Sequence, residues 1–235
     1  MPLRAIEPQR LYQQVAAQLA ELIRQGEWGL GERLPPERDL AGTLGVSRPV
    51  VREAMIALEL SNIVEIRPGA GTYVASANGL HSLWLQSDLD TGPSPFDLIS
   101  ARRIIEGETA AMAATMAGAA ELAGLEEAIA KMERDIEAGT QVISNQEDGD
   151  LLFHMRLAAA TRNSVMESIV QQLWEGMRRP MFAAISDRAQ LPRNAKRAAG
   201  EHRVILEQVR ARDPEGARRA MQDHLDRVAS LLLSE

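Results

Sequence analysis

The chain has 235 residues, long enough for two domains of ordinary size, and it is 45% hydrophobic but only 3% aromatic, so a core has to be built from Ala, Leu, Ile, Val and Met, as in a helical bundle. It contains no cysteine, which excludes disulfides and thiolate metal ligands. No secretory leader pattern and no apolar run approaching about 18 residues is present, so export and membrane insertion are not expected and a cytoplasmic protein is.

Taken in order, Leu11 to Gln25 reads as an amphipathic helix, with Leu11, Val15, Leu19, Leu22 and Ile23 at helical spacing. Gly26, Gly29 and Gly31 end it. The stretch PPERDLAGTLGVSRPVVR, from Pro35 to Arg52, then reads as two short helices joined by a tight turn. Pro35 and Pro36 open the first, where a missing N–H costs nothing. Leu40, Ala41 and Leu44 form its apolar side, and Gly45 supplies the left-handed residue that stops it. Ser47 is placed to cap the second helix, whose inward face is Val50, Val51, Ala54, Met55 and Leu58.

Arg48 and Arg52 lie four residues apart and project from one side of that second helix. A helix presenting a hydroxyl and two guanidiniums suits the major groove of DNA, because Arg bonds guanine O6 and N7 bidentately and both Arg and Ser hold phosphates. An ordinary helical hairpin with solvated arginines is the bland alternative. Two alternating runs follow, Ile63–Arg67 and Thr72–Ala75, joined by Pro68-Gly-Ala-Gly71. They predict a β-hairpin whose root carries Arg67 and whose tip glycines, Gly69 and Gly71, let a sugar-phosphate backbone approach. Helix, turn, helix and hairpin in this order predict a winged helix-turn-helix that binds double-stranded DNA.

The net charge of −7 looks wrong for that task, so its distribution matters. Residues 1–78 carry 8 Arg/Lys against 9 Asp/Glu, and residues 79–235 carry 18 against 24, so the acidity sits mostly in the second part. DNA affinity then rests on a local stripe of Arg38, Arg48, Arg52 and Arg67, a modest footprint that a dimer would double.

Residues 76–95 mix Ser, Gly, Asp and Pro without periodicity and read as a linker with at most one helical turn, in which Trp84 docks between domains rather than binding a ligand. From Phe96 onward the pattern is helical: Phe96–Ala119, Leu122–Ala138, then roughly 150–161, 163–177, 195–212 and 214–233, with Pro180, Pro192 and Pro214 as breaks. The expectation is a mainly α protein, with a winged helix-turn-helix over 1–76, a linker over 77–95, and an all-α antiparallel helical bundle of about six helices over 96–235, to which the resemblance given below assigns effector binding and dimerisation.

Three of the four histidines fall in the bundle: His154, His202 and His224. Asp150 lies four residues before His154, on the same helix face. Three imidazoles and a carboxylate from three helices would surround one divalent cation. On spacing alone, scattered surface histidines compete with that reading, because nothing in the sequence shows that the three helices adjoin.

Both parts resemble a known family. RLPPERDLAGTLGVSRPVVREAMIALE and the wing RPGAGTYV are similar to the GntR family of bacterial transcription regulators. FDLISARRIIEGETAAMAA, DLLFHMRLAAATRNSVMESIV, EHRVILEQV and DPEGARRAMQDHL are similar to the ligand-sensing FCD domain of its FadR subfamily, and within it the chain looks most like hexuronate-utilisation repressors. The resemblance implies DNA contacts at Arg38, Ser47, Arg48, Arg52 and Gly71. It implies a divalent metal on Asp150, His154, His202 and His224, with Zn expected and Ni or Mn as alternatives. Effector contacts are implied at Arg102, one turn ahead of Glu106, and at Asn163, which also suits a helix N-cap. An intrahelical pair with Glu106 is the plainer role for Arg102. The implied protein is a homodimer on a near-palindromic operator, not an enzyme and not bound to a membrane. Its effector is a small organic acid: glucuronate, galacturonate, fructuronate or tagaturonate, or alternatively lactate, gluconate or another sugar acid. A metal-dependent hydrolase is the rival class, although no carboxylate is evidently placed as its general base.

Overall fold

A computed structural model describes residues 10–76, 91–139 and 148–233. Most of the expected linker, Trp84 included, lies outside the described residues. The chain divides into two compact units between Thr91 and Gly92.

In the first unit, α1 (Leu11–Arg24), α2 (Glu37–Leu44) and α3 (Arg48–Leu60) precede a hairpin of β1 (Val64–Arg67) and β2 (Gly71–Val74). The stripe that α1 buries is Tyr12, Val15, Ala16, Leu19, Ala20 and Ile23, while Leu11, expected on that face, is 51% exposed. It meets Val51, Ala54, Met55 and Leu58 of α3 in one apolar core that also takes in Leu34, Leu40, Ile63 and Val74. Gly45 ends α2 at φ 66°, the left-handed conformation that glycine adopts without strain. The strands pair antiparallel, with Val64 opposite Val74 and Arg67 opposite Gly71. The segment before α2 adds an isolated bridge on the other edge of β2, Arg33 opposite Tyr73: Gly31 N–H donates to the Val74 carbonyl at 2.8 Å, Val74 N–H to the Glu32 carbonyl at 2.9 Å and Leu34 N–H to the Thr72 carbonyl at 2.9 Å.

The second unit, among the described residues, consists of seven α-helices and one turn of 3-10 helix. They are α4 (Pro95–Met116), α5 (Ala119–Ala138), α6 (Gly149–Ala160), α7 (Ser164–Met177), α8 (Pro180–Arg188), the turn Leu191–Asn194, α9 (Ala195–Arg210) and α10 (Pro214–Leu233). The expected break at Pro180 is present, between the end of α7 at Met177 and the start of α8, but the helix α8 itself was not expected. That proline is the first residue of an additional helix, the one position where its missing N–H and fixed φ cost nothing.

Small residues bring these helices close. Towards its end α4 buries Ala110, Ala113 and Ala114, which with Ala117 just beyond it pack in the same core as Ala217, Met221 and Leu225 of α10. Between α5 and α6 a Cβ on Gly149 would lie 2.4 Å from the Met132 amide nitrogen, so only glycine fits where α6 starts. Phe153 and Leu157 of α6 are buried among Leu125, Ile129 and Met132 of α5. That packing fixes the rotation of α6 and thereby sends His154, next to Phe153, into the interior.

Candidate metal centre and nucleic-acid interface

Ser47 holds the N-cap position of α3 with an extended backbone, but its side chain makes no capping hydrogen bond, and it is exposed. Arg48, the first residue of α3, is also exposed. Arg52 is not presented in the same way. Its guanidinium spans to Glu37 on α2, with Nη2 to Oε2 at 3.2 Å, and its side chain is 14% exposed. The pair ties the two helices of the motif together. Arg38 is 82% exposed, with a 3.2 Å contact to the adjacent Asp39. Arg67 donates to Glu65 at 2.7 Å and lies over the Tyr73 ring, 4.4 Å from its centroid. Gly69 and Gly71 both adopt positive φ, 69° and 112°.

In the helical unit, one ligand atom from each of Asp150, His154, His202 and His224 falls within 4.8 Å of all the others. Three helices supply them: α6, α9 and α10. His154 Nε2 is 3.0 Å from His202 Nε2 and 3.4 Å from Asp150 Oδ1, and His202 Nε2 is 3.0 Å from the same oxygen. The imidazoles are 0–3% exposed.

Each ring has its outer nitrogen occupied. His154 Nδ1 bonds to Glu106 Oε2, His202 Nδ1 to the Ala198 carbonyl at 2.7 Å, and His224 Nδ1 to Glu201 Oε2 at 2.9 Å. An oxygen at Nδ1 takes that nitrogen's proton in its hydrogen bond, so the Nε2 lone pairs are left for the centre. Asp150 Oδ1 is buried and accepts no hydrogen bond from the protein. Three imidazole lone pairs and an unsatisfied carboxylate oxygen fit a divalent cation of the Zn class, and would otherwise be four acceptors crowded together at a desolvation cost.

The charges of Asp150 and His224 agree with that fit, whereas at His154 a cation would have to replace the proton that the neighbouring carboxylates favour. Burial opposes ionisation of Asp150, but the imidazoles of His154 and His202, 3.4 and 3.0 Å from its Oδ1, outweigh it and hold the carboxyl well below its usual range. His154 is raised, burial being overcome by the Glu106 and Asp150 carboxylates. His224 moves the other way: burial and then His202 push it down to about 4, which keeps its lone pair available. Glu106 is held down at about 2 because Arg102 and His154 outweigh the effect of burial.

A cavity of about 270 Å³ adjoins this cluster, lined by Arg102, Asp150, Met177, Arg197, Glu201 and Arg227 among others. Arg102 is 2% exposed, bonded through Nε and Nη2 to Glu106 and stacked over Trp174 at 4.3 Å. The plainer of its expected roles, the pair with Glu106, is present, and Arg102 also lines the cavity. Asp148, also on the cavity wall, is pushed up to about 7 by burial and by the neighbouring Asp150. Asn163 stands apart. Its Oδ1 caps α7, accepting from the Val165 and Met166 amides at 3.1 and 3.3 Å, and it is exposed and off the cavity wall. A side chain turned back onto its own helix has no reach into the pocket.

The reading of the residues missed Glu201, Ala198 and the outward partners of the cluster generally. Glu201 is adjacent to His202 in the chain, yet it bonds the imidazole of His224 on a different helix, a partner that spacing does not signal.

Comparison with known proteins gives concordant results. Residues 97–227 match the FCD domain, and residues 11–74 match the bacterial regulatory proteins of the gntR family. The chain is 34% identical to the Uxu operon transcriptional regulator of Escherichia coli strain K12 over 231 residues, covering 97% of this chain and 89% of that one. It is 36% identical to the Exu regulon transcriptional regulator of the same strain, covering 97% and 87%. It also superposes on a solved structure of Lar, which controls expression of the Listeria monocytogenes agr system, with a TM-score of 0.51, 20% identity and coverage of 97% and 99%, a likeness of fold alone. The family and these relatives are regulators of transcription and not enzymes, which removes the hydrolase alternative. The chain belongs to the GntR family of transcription regulators, in the FadR subfamily whose C-terminal domain is of the FCD type.

Proposed function

We propose that this regulator is a homodimeric repressor whose operator binding is released by a hexuronate, or its keto form, held at a divalent metal in the helical unit. The observation that carries the reading is the convergence of Asp150, His154, His202 and His224 beside a cavity lined by Arg102, Arg197 and Arg227. A bound cation of the Zn class would supply a Lewis-acidic position for one end of an organic acid. The chain's own residues do the rest. Glu106, Ala198 and Glu201 fix the ring orientations. Arg102 spends Nε and Nη2 on Glu106 and one Nη1 donor on the Met177 sulfur, and its positive charge at the cavity wall suits a ligand carboxylate, whose burial without such a partner would be costly. The similarity to regulators named for the Uxu operon and the Exu regulon supports a hexuronate over lactate or gluconate.

At the other end, Arg48, with Arg38 and Arg67, reads and grips a near-palindromic operator as one half of a dimer. The effector weakens DNA binding by preferring the arrangement of the protein that does not fit the operator, and by reciprocity DNA weakens effector binding. The test uses full-length protein loaded with Zn and a duplex selected by that protein from a random pool. Anisotropy is followed as glucuronate, galacturonate, fructuronate, tagaturonate, lactate or gluconate is added. Release by at least one hexuronate and not by lactate is expected. Release by lactate or gluconate alone, or by none of the six, overturns the effector assignment.

A further inference from the structure

The wing carries a cation that neither the motif nor the helix-turn-helix accounts for. Arg33 is opposite Tyr73 in an antiparallel bridge, and Tyr73 is opposite Glu65 while Gly71 is opposite Arg67. Residues directly opposite, and those two apart along a strand, share a sheet face. Arg33, Gly71, Tyr73, Glu65 and Arg67 are therefore on one face of the wing.

Gly71 has no side chain there, and the Arg33 guanidinium occupies the space. A Cβ at residue 71 would lie 2.6 Å from Arg33 Nε and 3.0 Å from Nη2. This gives Gly71 a second reason to be glycine besides its φ of +112°: it seats an arginine. The backbone on either side of Arg33 is anchored to β2, by Val74 N–H to Glu32 and Leu34 N–H to Thr72, both at 2.9 Å. Two guanidiniums thus converge on the wing, and the carboxylate on that face, Glu65, is paired with Arg67 at 2.7 Å. Arg33 is exposed, and among the described residues no ion pair or hydrogen bond holds its guanidinium. A fixed cation with unspent donors, beside a second cation, suits a phosphate group.

We infer that Arg33, seated on Gly71, is a backbone-phosphate contact of the wing, and that Gly71 acts in DNA binding by admitting this arginine. The contact grips the sugar-phosphate chain of duplex DNA and does not read bases.

The test is a salt series on full-length protein, over about 50 to 200 mM, against the selected operator duplex and an unrelated duplex of equal length. Arg33→Gln should weaken both duplexes by the same factor and lower the slope of log affinity against log salt by about 0.9 for each wing engaged, whereas Arg33→Lys should keep the slope. Gly71→Ala should mimic Arg33→Gln and cost little more once Arg33→Gln is present. An unchanged slope in Arg33→Gln, a loss confined to the operator, or losses at 33 and 71 that simply add would each overturn the inference. If melting shows that Gly71→Ala disrupts the wing fold, the Gln and Lys variants at position 33 decide alone.

Discussion

The Nε2 atoms of His154 and His202 stand 3.0 Å apart, while the Nδ1 of each is taken up by an oxygen, Glu106 Oε2 for one and the Ala198 carbonyl for the other. Two lone pairs held face to face repel each other unless a cation lies with them. Stripping metal with a chelator should therefore destabilise the helical unit. With free Zn at about a hundred times its Kd, linkage amounts to roughly 2.7 kcal/mol. For a chain of this size that is a melting shift of roughly 5–10 °C. Calorimetry of chelated, reloaded and His202→Ala protein, with metal content by mass spectrometry, checks it. A melting point indifferent to Zn, or stoichiometric metal in His202→Ala, would contradict the assignment.

Glu106 and Glu201 both orient imidazoles, yet their surroundings differ. Glu106 is 1% exposed and neutralises the buried Arg102, whereas Glu201 contacts Arg197 and Arg227, whose side chains are 64% and 42% exposed. Removing the charge at 106 leaves a buried guanidinium uncompensated, a loss of about 3–5 kcal/mol, while solvent takes over the partners of Glu201. Both Glu106→Gln and Glu201→Gln should weaken metal binding by roughly 10- to 100-fold. Only the first should unfold markedly earlier in urea. Competition with a chromophoric chelator and urea titration separate the two quantities, and equal destabilisation by both variants would refute the distinction.

Arg48 and Arg52 project from one side of α3 by their spacing, with an acidic partner as the alternative for the deeper Arg52; Arg52 bridges to Glu37 and Arg48 is exposed. Arg48→Ala should lose operator affinity by about 1–3 kcal/mol with an unchanged melting point. Arg52→Ala should lower the melting point of the winged unit as well, since it unties α2 from α3. Anisotropy and thermal denaturation on the same preparations report both, and a wild-type operator affinity in Arg48→Ala would remove that residue from the interface.

Asn163 was expected as a helix N-cap and as an effector contact; its side chain caps α7, and it lies off the cavity wall. Asn163→Ala should cost about 1 kcal/mol of stability through the unsatisfied first-turn amides. Its affinity for a hexuronate should stay within twofold of the parent protein by titration calorimetry. A tenfold loss would return Asn163 to the pocket.

The sequence by itself determined the elements and most of their ends, because those depend on neighbours along the chain. Gly45 stops α2, Ser47 and Pro49 start α3, and the alternation around Pro68–Gly71 sets the hairpin. The spacing of Asp150 and His154 placed two ligands on one helix face for the same local reason. Pro180 marks a break for the same local reason, but that a new helix, α8, starts on it was missed, because a proline that ends one helix can also open the next.

What only the tertiary structure decided concerns residues far apart in sequence. That α6, α9 and α10 bring His154, His202 and His224 together depends on how Gly149, Phe153 and the alanine face of α4 let the helices pack. The outward bonds to Glu106 and Glu201, the diversion of Arg52 to Glu37 and the seating of Arg33 on Gly71 all cross between elements. Periodicity reports which face of a helix or strand is apolar. It carries no information on which other element that face meets, and side-chain chemistry at a site is set by that meeting.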